Sequence, residues 1–221
     1  MEFLLFNKPY QVLCQFTDNK NNTGDASEEK STPIKRDTLS QFIDCPNFYP
    51  AGRLDYLSEG LLILTDNGAL QARITEPANK MEKSYWVQVE GAPSEDALEQ
   101  LRKGVILKEG KTLPARVQRL TEMPPVWDRK PPVISHREQN SQWINISIRQ
   151  GKNRQVRRMM ASIGHPVLRL IRHQIGPWKL EALAPGESKM INVNLPSSSK
   201  KPLTPSKRTQ AKSKKNAKLK R

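Results

Sequence analysis

The stretch Ala51 to Leu70, AGRLDYLSEGLLILTDNGAL, sets the carboxylate of Asp55 two positions after the guanidinium of Arg53 and just ahead of the apolar run Leu61–Leu64. That run suits a buried strand, so Asp55 stands at the lip of a core. An acid placed there gives up part of its hydration, which the charge of a close Arg offsets. Residue types alone leave three readings of Asp55 open. It forms a structural ion pair with an arginine, it joins Glu59 as the acid pair of a glycosidase, or it is the single reacting acid of a site that handles RNA. SEG running into a strand does not sustain a helix that would pair the two acids, and four Trp and four Tyr are few for a sugar cleft.

A basic segment follows downstream. From Gln139 to Leu180 there are eight Lys or Arg and no acid. Within GKNRQVRRMMASIGHP, Val156, Met159, Met160 and Ile163 form an i, i+3, i+4, i+7 stripe, the pattern of a helix with one apolar face. Asn153 can cap this helix and Gly164 can end it. Arg154, Arg157 and Arg158 fall away from the stripe, where unpaired guanidinium groups repel unless an anion lies against them. Phosphate fits the Arg fork bidentately. With Arg149, Lys152, Arg169 and Arg172 nearby in the chain, this third reads as a polyanion surface. On a strand, Tyr85 in KSYWV is either a core tyrosine or an aromatic that stacks on a base.

The elements that must carry these residues are legible in outline. Phe3 to Phe6 reads as a strand entering NKPY. In Lys83 to Glu90, Tyr85, Val87 and Val89 share one face and Trp86, Gln88 and Glu90 the other. SEDALEQLRKG is a helix with Ser94 as its cap, acids in its first turn, bases in its last and Gly104 at its end. Ala69–Arg73 is a short helical segment. Val105–Leu107 and Val117–Leu120 are short strands, residues 123–141 a Pro-rich loop or extended insert, and Trp143–Arg149 a strand with Ile144, Ile146 and Ile148 on one face. The mixture indicates an α+β fold with a largely antiparallel sheet. Residues 1–195 form one domain, interrupted by a polar loop over 18–38. Residues 196–221 form a basic, disordered tail.

The chain has 221 residues and a net charge of +15. Residues 200–221 hold ten Lys or Arg and no acid, which leaves a moderately basic remainder. Such a tail binds polyanions by counterion release. No stretch reaches the roughly 20 apolar residues of a membrane span, and the start lacks the pattern of a signal peptide. Cys14 and Cys45 are the only cysteines, which favours a reducing, cytoplasmic setting over a disulfide scaffold. The sequence has neither a P-loop nor a G-x-G-x-x-G fingerprint. His136, His165 and His173 lack metal-ligand spacing. These patterns indicate no cofactor and no metal.

Four segments together resemble pseudouridine synthases of the RsuA/RluB/RluE type: LFNKPYQVL, GRLDYLSEGLLILT, KSYWVQVEG and GKNRQVRRMMASIGHPVLRLIR, in the family's order from about Phe3 to Val193. The resemblance implies a catalytic domain with a mixed, mostly antiparallel sheet in two halves around a cleft, here without the family's usual S4 domain. It implies conversion of a uridine in ribosomal RNA, 23S rather than 16S, to pseudouridine. The catalytic Asp maps to Asp55, the stacking Tyr to Tyr85, and the Arg that pairs with the Asp to Arg157. RNA contacts are expected from Arg53, Lys83, Lys152, Arg154, Arg158, Arg169 and Arg172. The expected protein is a cytoplasmic monomer acting on ribosomal RNA or an assembly intermediate. The alternative is a noncatalytic RNA-binding assembly factor on the same scaffold.

Overall fold

The computed structural model describes residues 2–18, 35–76 and 81–192. The expected tail lies outside the described residues, as does most of the 18–38 loop. Along the chain run β1 (Glu2–Lys8), β2 (Val12–Leu13), β3 (Asp37–Thr38), β4 (Tyr49–Pro50), β5 (Glu59–Thr65), α1 (Gly68–Thr75), β6 (Lys83–Glu90) and α2 (Glu95–Lys103). Then come β7 (Ile106–Leu107), β8 (Gly110–Lys111), β9 (Arg116–Arg119), α3 (Ser135–Gln139), β10 (Ser141–Ile148), α4 (Gln155–Ser162), β11 (Val167–Ile175), β12 (Trp178–Lys179) and β13 (Ser188–Asn192).

One sheet organises these elements, in the order β13-β1-β5-β11-β6-β10-β9, with β4 added to β5 and β12 to β11. Every pairing in it is antiparallel except β5 with β11, which run parallel over only Ile171↔Glu59 and Arg172↔Gly60. The expected two halves therefore meet along a two-residue join. Gly60 makes the join possible. Its φ is 99°, and a Cβ there would run into the Arg172 carbonyl. Only glycine meets both demands without strain.

Each half has its own packing. In one, the alternation in β6 and β10 turns Val87, Val89, Ile144 and Ile146 onto α2 and onto Val156, Met159 and Met160 of α4. In the other, β5 is covered on both sides. Leu61 and Ile63 pack with Phe3, Leu5 and Ile74, while Leu62 and Leu64 pack with Leu4, Phe6, Leu39 and Ile43. Two covered faces explain why β5 reads as a continuous apolar run and not an alternating one. Ser94 caps α2 as expected, accepting from the Ala97 amide. Residues 123–141 are not wholly loop: they contain α3, and Val126 and Trp127 pack against the core on the side of the sheet opposite α4.

On that side His173 stacks on Trp86, with ring centroids 4.5 Å apart and planes 12° off parallel. Its Nε2–H donates to Asn145 Oδ1 at 3.0 Å. Burial, then the Lys179 charge, lowers its pKa to about 4. A free histidine titrates near 6.5, so between pH 6.5 and 4 the unfolded chain takes up a proton that the folded chain refuses. Stability present above pH 6.5 is lost as pH falls through that window. Between pH 7 and 5 this loss amounts to about 1 kcal/mol after discounting the partial exposure of the ring. Urea unfolding at the two pH values should show His173→Gln losing less stability than the parent chain; equal losses would remove His173 from the acid response.

Candidate active site

The join between the halves opens into a cavity of about 570 Å³, a size suited to a nucleoside. Residues 51–55 and Ser58 line it from one half; Lys83, Tyr85, Ile148, Leu170 and Arg172 line it from the other. Arg53, Arg149, Lys152 and Arg154 stand among the lining, so cations surround an apolar and aromatic wall.

Asp55 sits in the loop between β4 and β5, and its carbonyl accepts the Ser58 amide at 3.0 Å. Its side chain is 33% exposed and lies 3.8 Å from Arg154 Nη1. The expected dry crevice is therefore a partly open one. The expected partner also differs. Arg157 donates to the Leu57 carbonyl at 2.6 Å, and more weakly to Ser58 Oγ and the Val167 carbonyl. It holds the loop behind Asp55, while Arg154 faces the carboxylate. Burial, then Arg154, draws the Arg157 guanidinium below its usual range, and Asp55 opposes that shift.

The backbone that delivers Arg154 is unusual. Its φ is 47°, in the left-handed region, and it stands at the start of α4 with no side-chain cap. A non-glycine residue held there stores strain, which persists where surrounding bonds enforce it. Gln155 supplies those bonds: its Oε1 accepts the Lys152 amide and its Nε2 donates to Gln150 Oε1. Asn153 is thus not the cap expected from sequence.

Arg172 was expected among the RNA contacts. It is 3% exposed and instead ties the loop to the strand that follows, donating to the Leu61 carbonyl of β5 at 2.8 Å and the Arg53 carbonyl of the loop at 3.2 Å. Arg169 leaves the expected surface altogether. Its fork binds the Glu59 carboxylate at 2.8 and 2.9 Å, where Glu59 is 1% exposed. Trp127 Nε1–H completes the acid's partners at 2.9 Å. Glu59 is therefore committed and cannot act with Asp55 as a glycosidase pair. Arg158 pairs with Glu109 and does not line the cavity. Lys83 lines it, with Nζ donating to the Met81 carbonyl; burial, then Arg172, lowers its pKa. Tyr85 is buried in the core and also walls the cavity. The core reading of that residue holds, and its place in the lining leaves it within reach of a cavity occupant.

Sequence reasoning assigned no role to Lys8. Its ammonium is fully buried and donates to the Val12 and Pro9 carbonyls at 2.7 and 2.8 Å. Burial lowers its pKa to about 8. It pins the turn after β1, whose Gln11 amide donates to the Tyr56 carbonyl of the Asp55 loop. A lysine in the middle of NKP was the available signal. Among the described residues there is no group of His, Cys, Asp or Glu arranged to hold a metal ion.

Asp55, beside an aromatic wall and under a cationic rim, shares the cavity lining with one other acid, Glu76, and the arrangement suits chemistry on a nucleotide of RNA. Residues 2–162 match the RNA pseudouridylate synthase family, and the chain belongs to it. Within that family the chain is 50% identical over 182 residues to Ribosomal large subunit pseudouridine synthase E of Xanthomonas axonopodis pv. citri (strain 306), covering 82% of this chain and 90% of that one. It is 48% identical over 192 residues to the protein of the same name in Vibrio vulnificus (strain CMCP6), covering 87% and 76%. A crystal structure of a pseudouridylate synthase superposes with a TM-score of 0.65 at 28% identity, covering 86% of this chain and 70% of that one. The α+β architecture is that of the family's catalytic domain, and the enzyme isomerises uridine to pseudouridine.

Proposed function

We propose that the substrate is a uridine of large-subunit, 23S ribosomal RNA and that Asp55 is the catalytic carboxylate. The enzyme works in the cytoplasm as a monomer. The observation that carries this reading is Asp55 on the lip of the join cavity, with Tyr85 in the cavity wall and Arg154 at 3.8 Å.

The reaction breaks the N1–C1′ bond of uridine, turns the base, forms C5–C1′, releases the C5 proton and takes up a proton at the freed N1. The base is both leaving group and returning nucleophile, so the atoms balance without an added reagent. A duplex hides C1′ and C5, so the target is extruded into the cavity. Tyr85 supplies a face on which the freed base rotates, since stacking constrains a ring's plane more than its angle within that plane. Arg154 holds the carboxylate charge toward the cavity. Arg157 and Arg172 fix the loop from behind, so that Asp55 meets the sugar without reorganising. Arg53 and Lys152 present exposed cations for the flanking phosphates.

The two arginines near Asp55 separate in a paired test. Arg154→Ala should lower kcat about tenfold to a hundredfold with the melting temperature little changed, because an exposed ion pair adds little stability. Arg157→Ala should lower both, since the Leu57 carbonyl loses its charged donor, a cost of about 1–3 kcal/mol. If both variants behave alike, the division between carboxylate partner and loop support is wrong. The substrate itself is tested by mapping pseudouridine in 23S ribosomal RNA from cells with and without this gene. Loss of one modified position is expected; an unchanged map overturns the assignment.

A further inference from the structure

The segment 124–131 carries features that the reaction does not use. Trp127 is tied to Glu59, the first residue of β5 after the Asp55 loop, and the Arg169 guanidinium lies 5.6 Å from its ring centroid. Two residues on, the Arg129 guanidinium lies over the ring of Tyr10, 4.2 Å from its centroid. Two carbonyls hold it there: Nε donates to Pro131 at 2.9 Å and Nη1 to Leu168 at 3.3 Å. No carboxylate of the described residues is recorded within ion-pair distance of Arg129. Tyr10 belongs to the turn that Gln11 bonds to Tyr56 of the Asp55 loop. Tyr10, Arg129 and Asp55 all lie near enough to Arg157 to act on its charge, yet neither Tyr10 nor Arg129 lines the cavity. Both are half-buried. They make a shoulder beside the Asp55 loop, outside the pocket.

We propose that the Tyr10–Arg129 stack is a binding platform for the base of a nucleotide adjoining the target uridine. This rests on the RNA reading of the cavity. Extruding the target strips its neighbours of a stacking partner. A planar cation already ordered on an aromatic ring offers a replacement at little entropic cost. Stacking on such surfaces tolerates any base, because every base has a π face. An arginine without an acid partner, fixed by carbonyls and set against a tyrosine, is poorly explained by folding alone. Trp127 and Glu59 then have a second task, which is to deliver Arg129 to this position.

The test uses short single-stranded RNAs with one central uridine and an abasic residue placed on either side in turn. Both the dissociation constant and kcat/KM are measured for the parent enzyme, Tyr10→Leu, Arg129→Met and Tyr10→Trp. On one side, loss of the base should weaken binding by the parent enzyme about tenfold. Tyr10→Leu should cost a similar factor on intact RNA and add nothing on the abasic RNA, while Tyr10→Trp retains binding. Thermal melting checks that each variant folds. Independent, multiplicative losses from the variant and the abasic site would overturn the platform, as would full affinity of Tyr10→Leu for intact RNA. If Arg129→Met lowers the salt slope of binding by about one while the abasic sites cost nothing, the arginine meets a phosphate and the base platform is wrong. Failure of the catalytic reading is distinguishable, since it abolishes turnover and leaves these binding differences in place.

Discussion

Asp55→Asn should abolish pseudouridine formation while RNA binding persists. The substitution keeps shape and removes the charge. Loss of a group on which bond breaking depends lowers turnover by roughly 10^4-fold or more, whereas contacts that bind substrate survive its removal. Binding should hold or tighten slightly, because a carboxylate under a rim of Arg53, Arg149, Lys152 and Arg154 repels the phosphates that this rim attracts. Arg154 lies 3.8 Å from the Asp55 carboxylate, in an ion pair of two partly exposed groups, so its loss should leave melting almost unchanged. Release of the uridine C5 proton, measured in a single turnover with enzyme in excess, reads the chemical step directly. Persistent release by a cleanly prepared variant would show that another group does the chemistry. Loss of binding together with turnover would show that Asp55 supports the fold and not the reaction.

The Asp55 loop at the lip of the cavity was legible because several independent signals fell in one stretch. Local chemistry reports whatever depends on neighbours in sequence. The alternation of β6 and β10, the capped α2 and the apolar stripe of α4 are of that kind. Of the expected trio, Asp55 and Tyr85 line one cavity while Arg157 does not, and Arg154 stands there in its place. What sequence hid depends on contacts between distant residues. Glu59 and Arg169 are 110 positions apart, so a stretch free of acids looked like a surface although its acid came from β5. Arg172 was hidden in the same way by the carbonyls of Arg53 in the Asp55 loop and Leu61 in β5. The cap of α4 was misjudged because Arg154 adopts a left-handed backbone that propensity disfavours. Such a departure from local preference is expected where a functional side chain must be aimed. Residues 123–141 concealed Trp127 behind prolines. The tryptophan matters through the indole bond to Glu59, which no periodicity reports.

Arg169 gives the sharpest separation between a basic surface and a buried network. Arg169→Ala should destabilise the enzyme by about 3–5 kcal/mol, because it strands the Glu59 carboxylate in the core with Trp127 as its remaining donor. The damage should reach the join, since Glu59 pairs with Ile171 across the two-residue contact between β5 and β11. Replacing both charges, Glu59→Leu with Arg169→Met, removes the stranded acid and should recover most of that loss. Recovery stays incomplete, because the Trp127 indole N–H then lacks its acceptor. Urea unfolding measures all three proteins. RNA binding across a salt series, read at a temperature where each is folded, supplies the second readout. A surface arginine that meets a phosphate contributes close to one unit of salt slope and almost no stability. Arg169→Ala should do the reverse, with a large fall in stability and an unchanged slope. A stable variant with a shallower slope would return Arg169 to the RNA surface and would mean that the pair with Glu59 does not hold the halves together.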